Sequence, residues 1–166
     1  MRNTTASLAI AAGLVLCAAA AQAQSPGKLA ATLPESGPLP RVTMERLLLI
    51  DASRQGSRVV AVGDRGYIVI SDDDGKSWRR AKSPAAPLLT AIEFLDAKHG
   101  WAVGHDSVIL ATQDGGETWT QQFAAPAEQR PLLDVIFVSK DTGYAIGAYS
   151  AFYETGDGGN PGTRAR

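Results

Sequence analysis

Three features of the sequence predict an all-β protein built from repeats. A box of the form Ser/Thr-x-Asp-x-Gly-x-Ser/Thr-Trp spans Ser71–Trp78 and again Thr112–Trp119, and its first half returns at Thr155. The copies start 41 and 43 residues apart, and a glycine (Gly63, Gly104, Gly147) stands eight residues before each one. Short β-branched and aromatic runs separated by Gly-, Asp- and Lys-rich turns fill the space between, and only the N-terminal segment departs from that pattern. Four short strands in about 40 residues is the arithmetic of a β-propeller blade. The prediction is therefore a β-propeller-type repeat of about two and three-quarter four-stranded blades, an incomplete ring.

The N-terminal segment is of another kind. Arg2, an uncharged apolar run over Leu8–Ala21 and the Ala21-Gln22-Ala23 triplet form a secretory signal over residues 1–23, with Gln24 as the mature start. Cleavage after Ala23 removes Cys17, the only cysteine, so the mature protein has no disulfide, thiol nucleophile or thiolate metal site. It is expected to be exported to the periplasm or secreted. Residues 24–43, with Pro26, Gly27, Pro34, Gly37, Pro38 and Pro40, are expected to be a flexible arm.

The blades are expected over residues 44–159. In the first, Val60–Gly63 and Tyr67–Ile70 are strands leading into the first box. In the second, Leu88–Leu95, Gly100–Gly104, Ser107–Thr112 and Glu117–Phe123 supply all four. In the third, Leu132–Val138, Tyr144–Gly147 and Phe152–Tyr153 repeat the first three. Ser83–Pro87 and Ala124–Pro126 pass from blade to blade. After Gly159, Asn160–Arg166 replaces the expected Ser/Thr-Trp and fourth strand and stands as an aberrant tail.

Each residue of the box has a local task. A carboxylate at Asp73 or Asp114 accepts backbone N–H groups across its turn, with Asp157 as the third copy. Gly75, Gly116 and Gly159 take positive φ without steric cost. The hydroxyls of Ser71, Ser77, Thr112, Thr118 and Thr155 tie strand ends, and Trp78 and Trp119 fold back over apolar surface. None of these tasks needs a substrate, so the box residues are expected to be structural.

The box and its surroundings resemble the photosystem II stability/assembly factor family of Asp-box (BNR-type) β-propellers over about residues 46–159. The similarity is most specific at Val62–Ile70 and His99–Leu110. That resemblance implies an exported, non-enzymatic propeller that supports assembly of membrane-protein complexes by binding protein, in photosynthesis where the host is photosynthetic. The alternative is a fragment of an Asp-box glycosyl hydrolase or carbohydrate-binding protein. Against it, the Arg-Ile-Pro signature of such sialidases is missing at Pro40-Arg41-Val42, and no spacing pairs Glu93, Asp96, Glu117 or Asp134 as acid and base.

Other chemistry is not indicated. Asp72-Asp73-Asp74-Gly75 lacks the alternation and terminal Glu of an EF-hand loop, and His99 and His105 flank one strand. No catalytic residue, metal site or cofactor is expected. A net charge of −1 from 16 basic and 17 acidic residues gives no footprint for nucleic acid. Arg54, Arg58, Arg65, Arg79 and Arg80 gather in the first unit and are the candidates for docking an acidic protein partner. Leu132, Val135 and Phe137 are expected on an uncovered face of the third blade, where they would drive self-association.

Overall fold

The computed structural model describes residues 37–39, 44–84 and 87–159. The signal segment, most of the arm and the tail lie outside them. The described strands form three antiparallel sheets, one per repeat.

The first blade takes β1 (Gly37–Pro38), β2 (Leu49–Gln55), β3 (Arg58–Gly63), β4 (Ile68–Ser71) and β5 (Arg79–Arg80), with β1 on its outer edge beside β5. The second holds β6 (Leu89–Phe94), β7 (Gly100–Gly104), β8 (Ile109–Thr112) and β9 (Thr120–Phe123) in order. Among the described residues, the third holds β10 (Leu132–Phe137), β11 (Gly143–Gly147) and β12 (Phe152–Thr155). Strand type follows the side chains. Val60, Val62, Ile68 and Ile70 turn one face of blade 1 toward blade 2, while Ala61 and Val69 turn the other way, as the period of two requires.

The glycine that precedes each box by eight residues now has its reason. The first strand of every blade carries a bulge at its start, between Leu49 and Asp51, Leu89 and Ala91, and Leu132 and Asp134. There the chain crosses so close to the second strand that a Cβ on Gly63, Gly104 or Gly147 would sit 2.0, 2.1 or 2.2 Å from a carbonyl oxygen. Only glycine fits.

Two expectations need correction. Part of the presumed arm is a strand: Gly37 pairs with Arg80 and Pro38 with Arg79, and the Leu39 amide donates to the Trp78 carbonyl at 2.9 Å. An edge strand tolerates Pro, which has no donor to lose on its open side. Leu39, Met44 and Leu47 then cover Ala61 and Val69, closing the outer face of blade 1. Second, Leu132, Val135 and Phe137 do not lie on an open face. They are buried against Ala91, Trp101 and Val103 of blade 2. Strand alternation puts Ile136, Ile146 and Phe152 on the open side instead, each about half exposed.

Candidate functional site

The three boxes lie in the turns after β4, β8 and β12. In the first, the Ser71 hydroxyl donates to Asp73 Oδ1 at 2.8 Å and accepts the Gly75 amide at 2.8 Å. The Ser77 amide donates to Asp73 Oδ1 at 2.8 Å and the Ser77 hydroxyl to Oδ2 at 2.7 Å. The Ser77 hydroxyl, the Ser77 amide and the Ser71 hydroxyl together pull the Asp73 carboxyl down to about 2. The second box repeats the pattern through Thr112, Asp114, Gly116 and Thr118. Partial burial raises the Asp114 carboxyl, but the Thr118 hydroxyl and amide and the Thr112 hydroxyl outweigh it and leave it lowered. Gly116 sits at φ +92°, open to glycine at no cost.

Each box tryptophan bends back to bond its own turn. Trp78 Nε1 donates to the Gly75 carbonyl at 3.0 Å and Trp119 Nε1 to the Gly116 carbonyl at 2.8 Å. Trp119 is buried in the seam with blade 1 and meets Phe94 edge-on at 6.1 Å. The third box keeps its first half, with Thr155 donating to Asp157 Oδ1 at 2.9 Å and accepting the Gly159 amide at 2.8 Å.

The five arginines do not make one free basic patch. Arg58 and Arg79 both reach Asp72 of the first box and Glu117 of the second, so four charges lock two neighbouring boxes. The Arg79 guanidinium is the main cause of the lowered Asp72 carboxyl, ahead of an opposing burial effect and of Arg58. Arg58 also donates to the Gly115 carbonyl at 3.0 Å. Arg54 pairs with Asp74 at 2.7 Å, Arg65 lies 3.4 Å from Asp64, and Arg80 stacks on Tyr67 at 4.5 Å. Arg54 and Arg65 remain about two-thirds exposed at their side chains.

Three acidic residues do work that the sequence did not announce. Glu117 is one. Asp51 and Glu93 are the others: each sends an oxygen across a seam to an amide in the first strand of the next blade, Ile92 at 2.9 Å and Phe137 at 2.6 Å. Their signal was thin, a lone acid on the core-facing side of a strand. Among the described residues, no three His, Cys, Asp or Glu stand close enough to hold a metal ion.

Stacked antiparallel sheets of three to five strands, each ending in this box or its first half, make the chain an Asp-box β-propeller repeat protein. Residues 82–130 match the family model described as Photosynthesis system II assembly factor YCF48. The chain is 32% identical over 101 residues to the chloroplast photosystem II stability/assembly factor HCF136 of Cyanidioschyzon merolae, covering 57% of this chain and 23% of that one. It is 28% identical over 113 residues to the photosystem II assembly protein Ycf48 of Thermosynechococcus vestitus, covering 64% and 32%. The solved structure of YCF48 bound to D1 peptide superposes with a TM-score of 0.60 at 20% identity, over 79% of this chain and 42% of that one. Over part of its length the chain is thus similar to the photosystem II stability/assembly factors among the Asp-box propellers. It spans between about a quarter and a third of the length of these two sequence relatives.

Proposed function

We propose that this chain is a non-enzymatic propeller scaffold that supports assembly of a membrane-protein complex by binding protein, with photosystem II as the complex its relatives name. The observation that carries the reading is the family match over residues 82–130, which covers the second box and the linkers on both sides of blade 2. The relatives named above are all assembly or stability factors, which favours this function over the glycosyl hydrolase alternative. One solved relative holds a peptide of D1, and a protein partner is proposed here on that analogy. The box residues serve the fold, because their polar atoms are spent on their own turns. A docking role for the arginines falls to Arg54 and Arg65, the two whose side chains stand mostly in solvent.

Export follows from the signal segment, with cleavage after Ala23, and is supported by a relative from Synechocystis named as an assembly lipoprotein. The test is chemical cross-linking of the exported chain in its own host, followed by mass spectrometry of the adducts. Adducts with subunits of a membrane complex support the reading. Adducts confined to glycans, or turnover of aryl glycosides by the purified chain, would overturn it.

A further inference from the structure

The internal repeat makes one cleft interpretable. Between blades 2 and 3 lies an apolar cleft with about 30 Å3 of water-accessible space, about 440 Å3 when the gaps around it and the part open to solvent are counted. Its third-blade walls are Val135, Phe137, Gly143, Ala145, Tyr153 and Gly159. The 43-residue offset maps these onto Ile92, Phe94, Gly100, Ala102, Leu110 and Gly116 of blade 2. In blade 2 that place is filled by Trp119, which shares a core with Ile92, Phe94, Ala102 and Leu110 and bonds the Gly116 carbonyl. The cleft is therefore the seat of a box tryptophan. Three residues after Gly159, where Trp78 and Trp119 follow Gly75 and Gly116, the sequence has Gly162, and residues 160–166 hold no aromatic.

A second feature lies alongside it. In blade 2 the strand after Trp119, β9, pairs along β8. Among the described residues, the corresponding strand of blade 3, β12, is the edge of its sheet. An edge strand offers a row of backbone donors and acceptors to any extended chain. Indole seat and edge strand stand in the order that blade 2 uses for one continuous segment.

We propose that this cleft is a docking site for an extended segment of a partner protein, in which a tryptophan preceded by a hydroxyl residue seats between blades 2 and 3 while the residues after it pair with β12. The tryptophan is the anchor, as buried aromatics are at protein interfaces. The segment is a strand and not a helix, because the edge beside the seat accepts only backbone in ladder geometry. This site is distinct from the arginines and does not depend on the photosystem reading.

The probe is a dye-labelled peptide with the chain's own blade-2 sequence, Glu117–Ala124, titrated with the full chain and followed by fluorescence anisotropy. Saturable binding is expected, weakened at least tenfold when the peptide carries Trp119→Ala. In the protein, Ala145→Leu fills the seat and should weaken binding of the unchanged peptide to a similar degree. Because that variant can disturb the blade, the peptide pair decides the matter. Equal binding of both peptides, or none by either, overturns the proposal. Concentration-dependent dimers from which the peptide is excluded would assign the cleft to a second copy and overturn it too.

Discussion

The two seams of this molecule occupy equivalent positions and are held by different chemistry. Between blades 1 and 2 the contact at the centre of the second strand is Val60, with an ionic lock of Arg58, Arg79, Asp72 and Glu117 at the rim. Between blades 2 and 3 the equivalent of Val60 is Trp101, stacked flat on Phe137 at 3.5 Å and donating to the Gly158 carbonyl at 3.2 Å. The carboxylate that crosses the seam has moved as well. Asp51 does it from the first paired position after the bulge, and Glu93 from two residues further along, with its longer side chain. The requirement common to both seams is an acceptor for an amide of the following first strand. Which residue supplies it is free to drift.

The sharpest test of that contrast is Trp101→Ala. Trp101 is 3% exposed and stacks on Phe137 across the second seam, so its loss should lower stability by about 3–5 kcal/mol. Val60→Ala, at the same position of the first seam, removes only two methyls and should cost far less. Urea unfolding of both variants checks this. Equal losses would mean that the seams bear load alike and that the stack is incidental.

Next comes the shared acceptor. Glu93→Ala and Asp51→Ala each leave an amide at a seam without its carboxylate, which costs about 1–3 kcal/mol. The two losses should match within about 1 kcal/mol, since one role is being removed in both cases. A large loss for one and none for the other, in the same unfolding assay, would break the equivalence.

How much of this could be seen beforehand depends on the length scale. Repeat spacing, the box and the precursor glycine are local in sequence, and each dictates local backbone geometry. That is why the strands of blade 2 were legible. Leu132, Val135 and Phe137 do share one face of β10, but that face packs on Ala91, Trp101 and Val103 of blade 2 and is covered, because which side of a sheet meets the preceding blade is set by stacking and not by the strand's own alternation. The arginines were legible as a cluster but not as a lock, because Glu117 is 38 residues from Arg79 and only blade stacking brings them together. The Trp seat was invisible for the same reason: it exists only between two blades.

The ionic lock itself should matter less than its bond count suggests. Its side chains are 29–50% exposed, where water competes for every charge. Glu117→Gln should cost roughly 1 kcal/mol or less at low salt. That loss should shrink as ionic strength rises past about 0.15 M, where charges are screened over about 8 Å. The loss from Trp101→Ala should not move with salt. Parallel salt series on the two variants separate an ionic seam from an apolar one, and identical salt dependence would erase the distinction.

The smallest effect concerns what both seams share, the box at their rim. Asp73 is held at about 2 in the folded chain, below its ordinary 3.8, chiefly by the Ser77 hydroxyl and amide and the Ser71 hydroxyl. A carboxyl lowered on folding contributes stability that is fully present above the unfolded value and is lost as pH falls through the folded one. The contribution of Asp73 should therefore be complete above about pH 5, fade below about pH 4 and be gone below about pH 2. The second box has Asp114 lowered in the same direction by Thr118 and Thr112, against the effect of its burial. Asp73→Asn removes the titrating group while keeping an oxygen for the Ser77 amide. Its stability deficit against the parent chain should be present at pH 7 and should narrow toward pH 2, read as the difference in unfolding midpoint across a pH series. The ionic lock adds a slope of its own through Asp72, which parent and variant share, so the deficit is read as the difference between the two chains at each pH. A deficit that stays constant from pH 7 to pH 2 would show that the Asp73 carboxylate works by shape alone and that its charge does nothing for the turn.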